Sequence, residues 1–235
     1  MTVECNLIIS LLKLTKEEPA LVEHVNIDAR VPSAISRNLM AKMQNEGLVY
    51  LEKDIVQADS ASRLKLAVKA ISLGADLELV GNLLCWQEFE EISAYALRNY
   101  GYTVQNNVRF TYSGHRFEVD VVGCNKPLVV CIDCKHWQHA ISSSILRKIV
   151  NAQAERTRSL ADSLPNPKLN LECTKWRDAK FLPTVLSLMP SAIKFCDKVP
   201  IVPILQLQDF LNQLPVHTES LKYYPRTFNS LGHNF

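Results

Sequence analysis

The spacing of apolar residues changes character near residue 102. Before it they recur every three or four positions; after it they alternate with polar residues or run together in short blocks. The first regime predicts a helix over Val3–Leu14, with Leu7, Ile8, Leu11 and Leu12 on one face. A second helix is expected from Glu18-Pro19, because proline is tolerated in a first helical turn. A third starts at Pro32-Ser33, with Ile35, Leu39 and Met43 inward and Gly47 ending it. Leu48–Leu51 and Ile55–Val56 read as a small hairpin around Glu52-Lys53-Asp54. Ser60–Leu73 is a further helix, capped by Ser60 and striped by Leu64, Ala67, Val68 and Ile71. The run GADLELVG at 74–81 breaks the period, and Leu84–Tyr100 resumes it through Phe89, Ile92, Ala96 and Leu97 until Gly101.

The second regime predicts a strand over Thr103–Tyr112, a turn at Ser113-Gly114, and two apolar strands, Phe117–Val122 and Leu128–Ile132, joined through Gly123, Asn125 and Pro127. Three serines at 142–144 lead into a long helix with Ile145, Ile149, Ala152 and Leu160 inward and Arg147, Lys148, Arg156 and Arg158 outward. Strands at Phe181–Leu188 and Val199–Leu205 and a short helix at Gln208–Leu214 complete the order. The tail from Pro215 shows no period.

Charges interrupt this pattern where a core strand would carry Val or Ile. Asp120 lies inside one apolar strand, and Asp133 and Lys135 close the next. Side chains of a strand alternate faces, so Asp133 and Lys135 project together while Cys134 points away. If the two strands pair, Asp120 approaches Asp133, and two carboxylates and an ammonium converge. That is a site for a hard cation with a lysine beside it; the simpler reading is a strand-end salt bridge. Cys131-x-x-Cys134 and His136-x-x-His139 resemble a zinc site on paper. The two cysteines are an odd number of residues apart on a strand, however, so they face opposite sides and cannot share one ion. Cys134 beside His136 has no third group to orient a nucleophile.

The run FEVDVVGCNKPLVVCIDCKHW at 117–137 resembles the PD-(D/E)XK nuclease superfamily, with Asp120 as the first acid and Asp133-Cys134-Lys135 as the second element. Phe89-Glu90, followed by Gly101-Tyr102, is similar to the opening helix of Mrr-type restriction endonucleases and of archaeal Holliday junction resolvases. The resemblance implies an α/β fold, a restriction-endonuclease-like mixed sheet flanked by helices. It also implies hydrolysis of DNA phosphodiester bonds. Asp120, Asp133, Glu90 and the Cys134 carbonyl would hold Mg²⁺, with Mn²⁺ able to substitute, and Lys135 would act on the attacking water. Asp133 departs from the Glu or Gln of many relatives. VPSAISRNLMAKMQNEGLVYLEKDIV at 31–56 resembles a winged helix-turn-helix, which offers Ser33, Ser36, Arg37 and Lys42 to DNA. Ser143, Arg147 and Lys148 at the long helix's N-terminus are phosphate-binding candidates, with capping and solvation as the alternative.

The expected organisation is a mainly α winged-helix domain over 1–59, a connecting helix and linker over 60–81, the nuclease-like domain over 82–214 and a tail over 215–235. At 235 residues, 47% hydrophobic and 21% charged, the chain has the composition of a globular protein. The net charge is +2, with residues 1–80 net acidic and the excess of base in the remainder. No apolar run approaches a membrane span, and MTVECNLIISLLKL carries Glu4 and no cleavage site, so a cytoplasmic, intracellular protein with no membrane partner is expected. Seven cysteines, several in apolar segments, predict a reducing compartment and no disulfide-linked partner. DNA and a second copy of the chain, as a homodimer, are the expected partners. Two rivals stand beside the endonuclease: a structure-specific junction resolvase, and a DNA-binding regulatory protein with an inactive nuclease fold.

Overall fold

A computed structural model describes residues 2–135, 142–187 and 193–228, without the side chains of residues 77, 78, 86, 92 and 205. The chain divides into two compact units, Met1–Ile92 and Ser93–Phe235.

The first unit follows the order α1 (Val3–Leu14), β1 (Ala20–Leu21), α2 (Val22–Ala29), α3 (Ser33–Asn45), β2 (Tyr50–Glu52), β3 (Ile55–Gln57), α4 (Ser60–Ser72), α5 (Leu77–Leu83) and the start of α6 (Trp86–Asn99). Thr2 caps α1 by accepting from the Cys5 N–H, and Leu7, Ile8, Leu11 and Leu12 are buried as their spacing requires. The hairpin turns at Lys53, whose φ of 52° is left-handed. Three expectations change here. Residues 20–21 pair with β3 as a strand, so α2 begins at Val22 rather than at Pro19. α3 buries Ser36, Met40 and Met43 and leaves Ile35 half exposed. Residues 60–81, expected as a connecting helix and linker, pack within the first unit: Leu64, Leu66, Ala67 and Ala70 of α4 are buried, with Leu66, Ala67 and Ala70 in one core with α1. The α4 cap is Asp59, which accepts from the Ser62 N–H.

The second unit is built on a seven-stranded mixed sheet. Its strands are β4 (Thr103–Tyr112), β5 (His115–Asn125), β6 (Leu128–Lys135), β7 (Asp178–Ser187), β8 (Phe195–Cys196), β9 (Val199–Pro203) and β10 (Tyr224–Thr227), with helices α7 (Ser143–Ser163) and α8 (Leu207–His217). The spatial order is β4-β5-β6-β7-β9-β8. β4, β5 and β6 form an antiparallel meander, while β6, β7 and β9 are parallel. β10 runs antiparallel on the edge of β7 that β9 also uses, so the expected tail supplies a strand. Ser113 and Gly114 both take positive φ, the conformation of a tight two-residue hairpin turn.

Helices cover both faces of this sheet. On one, Val122, Cys124, Val129 and Cys131 share a core with Leu160 and Ala161 of α7. On the other, Leu97 of α6 lies so close to Gly123 that a Cβ there would sit 2.9 Å from its Cδ1. Hence this α/β unit is a mixed sheet flanked by helices, consistent with the restriction-endonuclease-like fold expected above. α7 is turned by about one residue from expectation: Leu146, Val150, Gln153, Ala154, Thr157 and Leu160 are buried, and Ile145 is half exposed.

Candidate active site

The β5–β6 ladder ends at Val121 opposite Ile132, so Asp120 and Asp133 are the next facing positions beyond it. Cross-strand partners in an antiparallel pair lie on one face, and this is the α7 face. The Asp120 carboxylate accepts from the Cys134 N–H at 2.7 Å. In the neighbouring pair the register passes from Asn106 opposite Val121 to Val108 opposite Val119. The intervening Asn107, across from Asp120, has a left-handed φ of 53°. A non-glycine residue held in the left-handed region is a conformation that clusters at functional sites.

Asp133 is 3% exposed, and a carboxylate that deep needs compensating charge. Lys135, two residues on and on the same face, places Nζ 3.0 Å from Oδ1 and 2.9 Å from Oδ2. Only the Oδ1 contact has hydrogen-bond direction, so Oδ2 is buried without a directed hydrogen bond. The second cation was read from sequence as solvated and is not: Arg156 of α7 donates through Nη1 to Asp133 Oδ1 at 2.6 Å. One turn earlier Gln153, fully buried, donates to the Cys131 carbonyl at 2.7 Å, and its Oε1 accepts from the same Arg156 nitrogen at 3.3 Å. Gln153 and Arg156 were legible in principle, being three apart on the stripe that continues through Val150, Thr157 and Leu160.

The odd spacing of Cys131 and Cys134 has the expected effect. Cys131 packs toward α7, and burial pushes its thiol pKa up; Cys134 turns away, its Sγ 3.3 Å from Ser93 Oγ on α6. No group of three His, Cys, Asp or Glu side chains placed to hold a metal occurs among the described residues. His136 and His139 lie outside them. The remaining donors suit one class of ion. Two carboxylates, one with a buried oxygen lacking a directed hydrogen bond, fit Mg²⁺, which keeps several waters and takes one or two carboxylates.

The other sequence-derived candidates lie on α6, α3 and α7. Glu90 is buried on α6 in the first unit, at 7% exposure, and it has an interaction partner there or elsewhere in the chain. Its neighbour Glu88 is no surface residue either, since it forms a buried ion pair with Arg63 Nε and accepts from the Cys85 N–H. Glu91 is exposed. In α3, Ser36 is fully buried and so is closed to a DNA groove, a correction that follows from the helix rotation. Ser33 accepts from Asn26 Nδ2 at 3.4 Å. Arg37 pairs with Asp54 at 2.9 Å, and Lys42 stands 3.9 Å from both Glu4 and Glu46. Ser143, Arg147 and Lys148 are exposed on the first turns of α7, behind the cap Ser142.

Comparison with known proteins bears on part of this region. Residues 83–161 match the Mrr_cat family model, described as restriction endonuclease. That stretch carries Asp120, Asp133, Lys135 and Arg156, and the match supports a nuclease-like function for it. A search of curated proteins gives no match. Among solved structures, the crystal structure of protein VC1899 from Vibrio cholerae aligns at TM-score 0.42 and 11% identity over 93% of this chain. The chain spans about half of that protein, 52% of its length. A protein of unknown function, AF1548, aligns at TM-score 0.34 and 14% identity over 57% of this chain and 79% of its own. Among the described residues no helix is long and apolar enough to cross a membrane.

Proposed function

We propose that this chain is a metal-dependent DNA endonuclease whose active site is Asp120, Asp133 and Lys135. The observation that supports it most is the meeting of two carboxylates on one face at the end of the β5–β6 ladder, with Lys135 on Asp133, inside the stretch that matches the restriction-endonuclease family. Asp120, Asp133 and the Cys134 carbonyl would hold Mg²⁺, or Mn²⁺ in its place. That ion would supply positive charge at the scissile phosphate and would lower the pKa of a bound water. Lys135 would orient the attacking water and stabilise charge developing on the phosphate oxygens. The Cys134 N–H fixes the Asp120 carboxylate, so its orientation is set before substrate arrives. The first unit, read as a winged helix, would hold DNA through Ser33, Arg37 and Lys42. Ser143, Arg147 and Lys148 would meet the phosphate backbone at the start of α7. A homodimer would place two such sites on one substrate.

The test is cleavage of plasmid, linear duplex, single-stranded and four-way-junction DNA with Mg²⁺ or Mn²⁺, by wild type beside Asp120→Asn, Lys135→Ala and Glu90→Gln. Loss of about 100-fold or more in the first two, with folding unchanged, is expected. Glu90→Gln shows whether the acid on α6 takes part. Preference for the junction would make the protein a resolvase. DNA binding without cleavage of any substrate under either metal would overturn the catalytic reading in favour of a binding module.

A further inference from the structure

We propose that Arg156 is a phosphate-binding residue of this site and not only the counter-charge of Asp133. The inference rests on the nuclease reading above. An arginine whose whole task is to neutralise a carboxylate normally meets it with two parallel N–H groups. Arg156 does otherwise. Nη1 alone carries its contacts, to Asp133 Oδ1 at 2.6 Å and to Gln153 Oε1 at 3.3 Å. Nε and Nη2 make no hydrogen bond among the described residues, although they form the edge of the guanidinium that best matches two oxygens of a phosphate. The side chain is 29% exposed, against 4% for the Asp133 side chain it touches. Thus Arg156 stays partly open to solvent while its Nη1 holds a buried carboxylate.

Charge at the site points the same way. Asp120 and Asp133 balance Lys135 and Arg156, so the four side chains are neutral together, and any divalent cation added to them leaves an excess that favours an anion. Lys135 lies against both oxygens of Asp133. Arg156 adds a donor edge that makes no hydrogen bond among the described residues. Gln153 holds it there: itself fixed to the Cys131 carbonyl, it restrains the Nη1 end of the fork. The ligand is the phosphodiester backbone, recognised without regard to base.

The test is binding of a fluorescent duplex oligonucleotide in EDTA, across a range of KCl, by wild type, Arg156→Gln and Arg156→Lys. Arg158→Gln serves as control, since Arg158 is exposed on the same helix and stands 3.7 Å from Asp162. Arg156→Gln is expected to weaken binding about tenfold and to reduce the slope of log affinity against log salt by about one. Arg156→Lys keeps the charge on Asp133 and therefore the fold; it should retain the slope yet bind more weakly than wild type, because an ammonium lacks the fork. If wild type binds and both Arg156 variants bind as it does, with only their Mn²⁺ affinity changed, Arg156 serves Asp133 alone and the inference is overturned. If wild type binds no DNA and cleaves none, the nuclease reading falls and this one with it.

Discussion

Arg63 is 2% exposed, as is Glu88, and the two form an ion pair inside the first unit. All three guanidinium nitrogens are engaged: Nε meets Glu88, Nη1 donates to the Leu12 carbonyl at 2.7 Å and to Thr15 Oγ1 at 3.1 Å, and Nη2 donates to the Leu83 carbonyl at 2.8 Å. One side chain therefore closes the C-terminal ends of α1 and α5, where helix carbonyls otherwise lack partners. Arg63→Met removes all four bonds and leaves the Glu88 carboxylate with the Cys85 N–H alone. Breaking a buried pair costs about 3–5 kcal/mol, and each orphaned carbonyl adds about 1–3 kcal/mol. Both residues line a cleft of about 520 Å³, so water reaches part of the exposed polar surface and the larger sums do not apply. A loss of about 3–4 kcal/mol is expected, a large share of the roughly 5–15 kcal/mol that holds a domain folded. Urea unfolding followed by far-ultraviolet circular dichroism measures it. The double variant Arg63→Met, Glu88→Leu removes both charges and should recover at least about 2 kcal/mol, since apolar replacement of a buried pair is often neutral or better. An Arg63→Met protein within about 1 kcal/mol of wild type, or a double variant no better than the single, would refute this reasoning.

Two further outcomes follow from the geometry. Gly123→Ala would put a Cβ 2.9 Å and 3.2 Å from the Leu97 methyl carbons and 3.3 Å from Tyr102 Cδ1; because Leu97 is fully buried, a loss of about 1–3 kcal/mol is expected, and unchanged stability in urea would show that α6 can shift away. Asp28 is held below the usual carboxylate range by hydrogen bonds from Lys13 and then Ser10. Its contribution is complete above the ordinary Asp pKa and is lost as pH falls through the depressed folded value. Asp28→Asn should therefore be less stable than wild type at neutral pH, by about 1 kcal/mol or less for so accessible a pair, with the gap closing on acidification. A gap that widens instead would show that the carboxylate is not the group responsible.

Strand periodicity carried most of what was legible. β4, β5 and β6, their hairpin turn and the shared face of Asp133 and Lys135 all follow from a period of two, which leaves charged residues conspicuous in apolar runs. Helix faces were less legible for a specific reason. In α3, α4 and α7 the buried stripe includes Ser36, Arg63, Gln153 and Thr157, while Ile35, Val68 and Ile145 are exposed. A search for apolar periodicity rotates each helix toward the exposed aliphatics and away from buried polar side chains. β1 and β10 had no local signal at all, because two and four residues become strands only by pairing with β3 and β7, far off in sequence.

Asp133 and the cation on α7 fit one another. A strand-end aspartate is one methylene shorter than glutamate, so its carboxylate stays near the backbone of β6, where it is 3% exposed and beyond the reach of most solvent. Lys135, from the same strand, approaches both oxygens from the side. A residue on the opposing helix has to span the gap between layers, and arginine is the side chain long and rigid enough to do so with a charged end. Its position three residues after Gln153, which is itself tied to the Cys131 carbonyl, aims that end at Asp133. The short acid, the long base and the buried amide are therefore one device, and the helix above the sheet belongs to the candidate site as much as the two strands do.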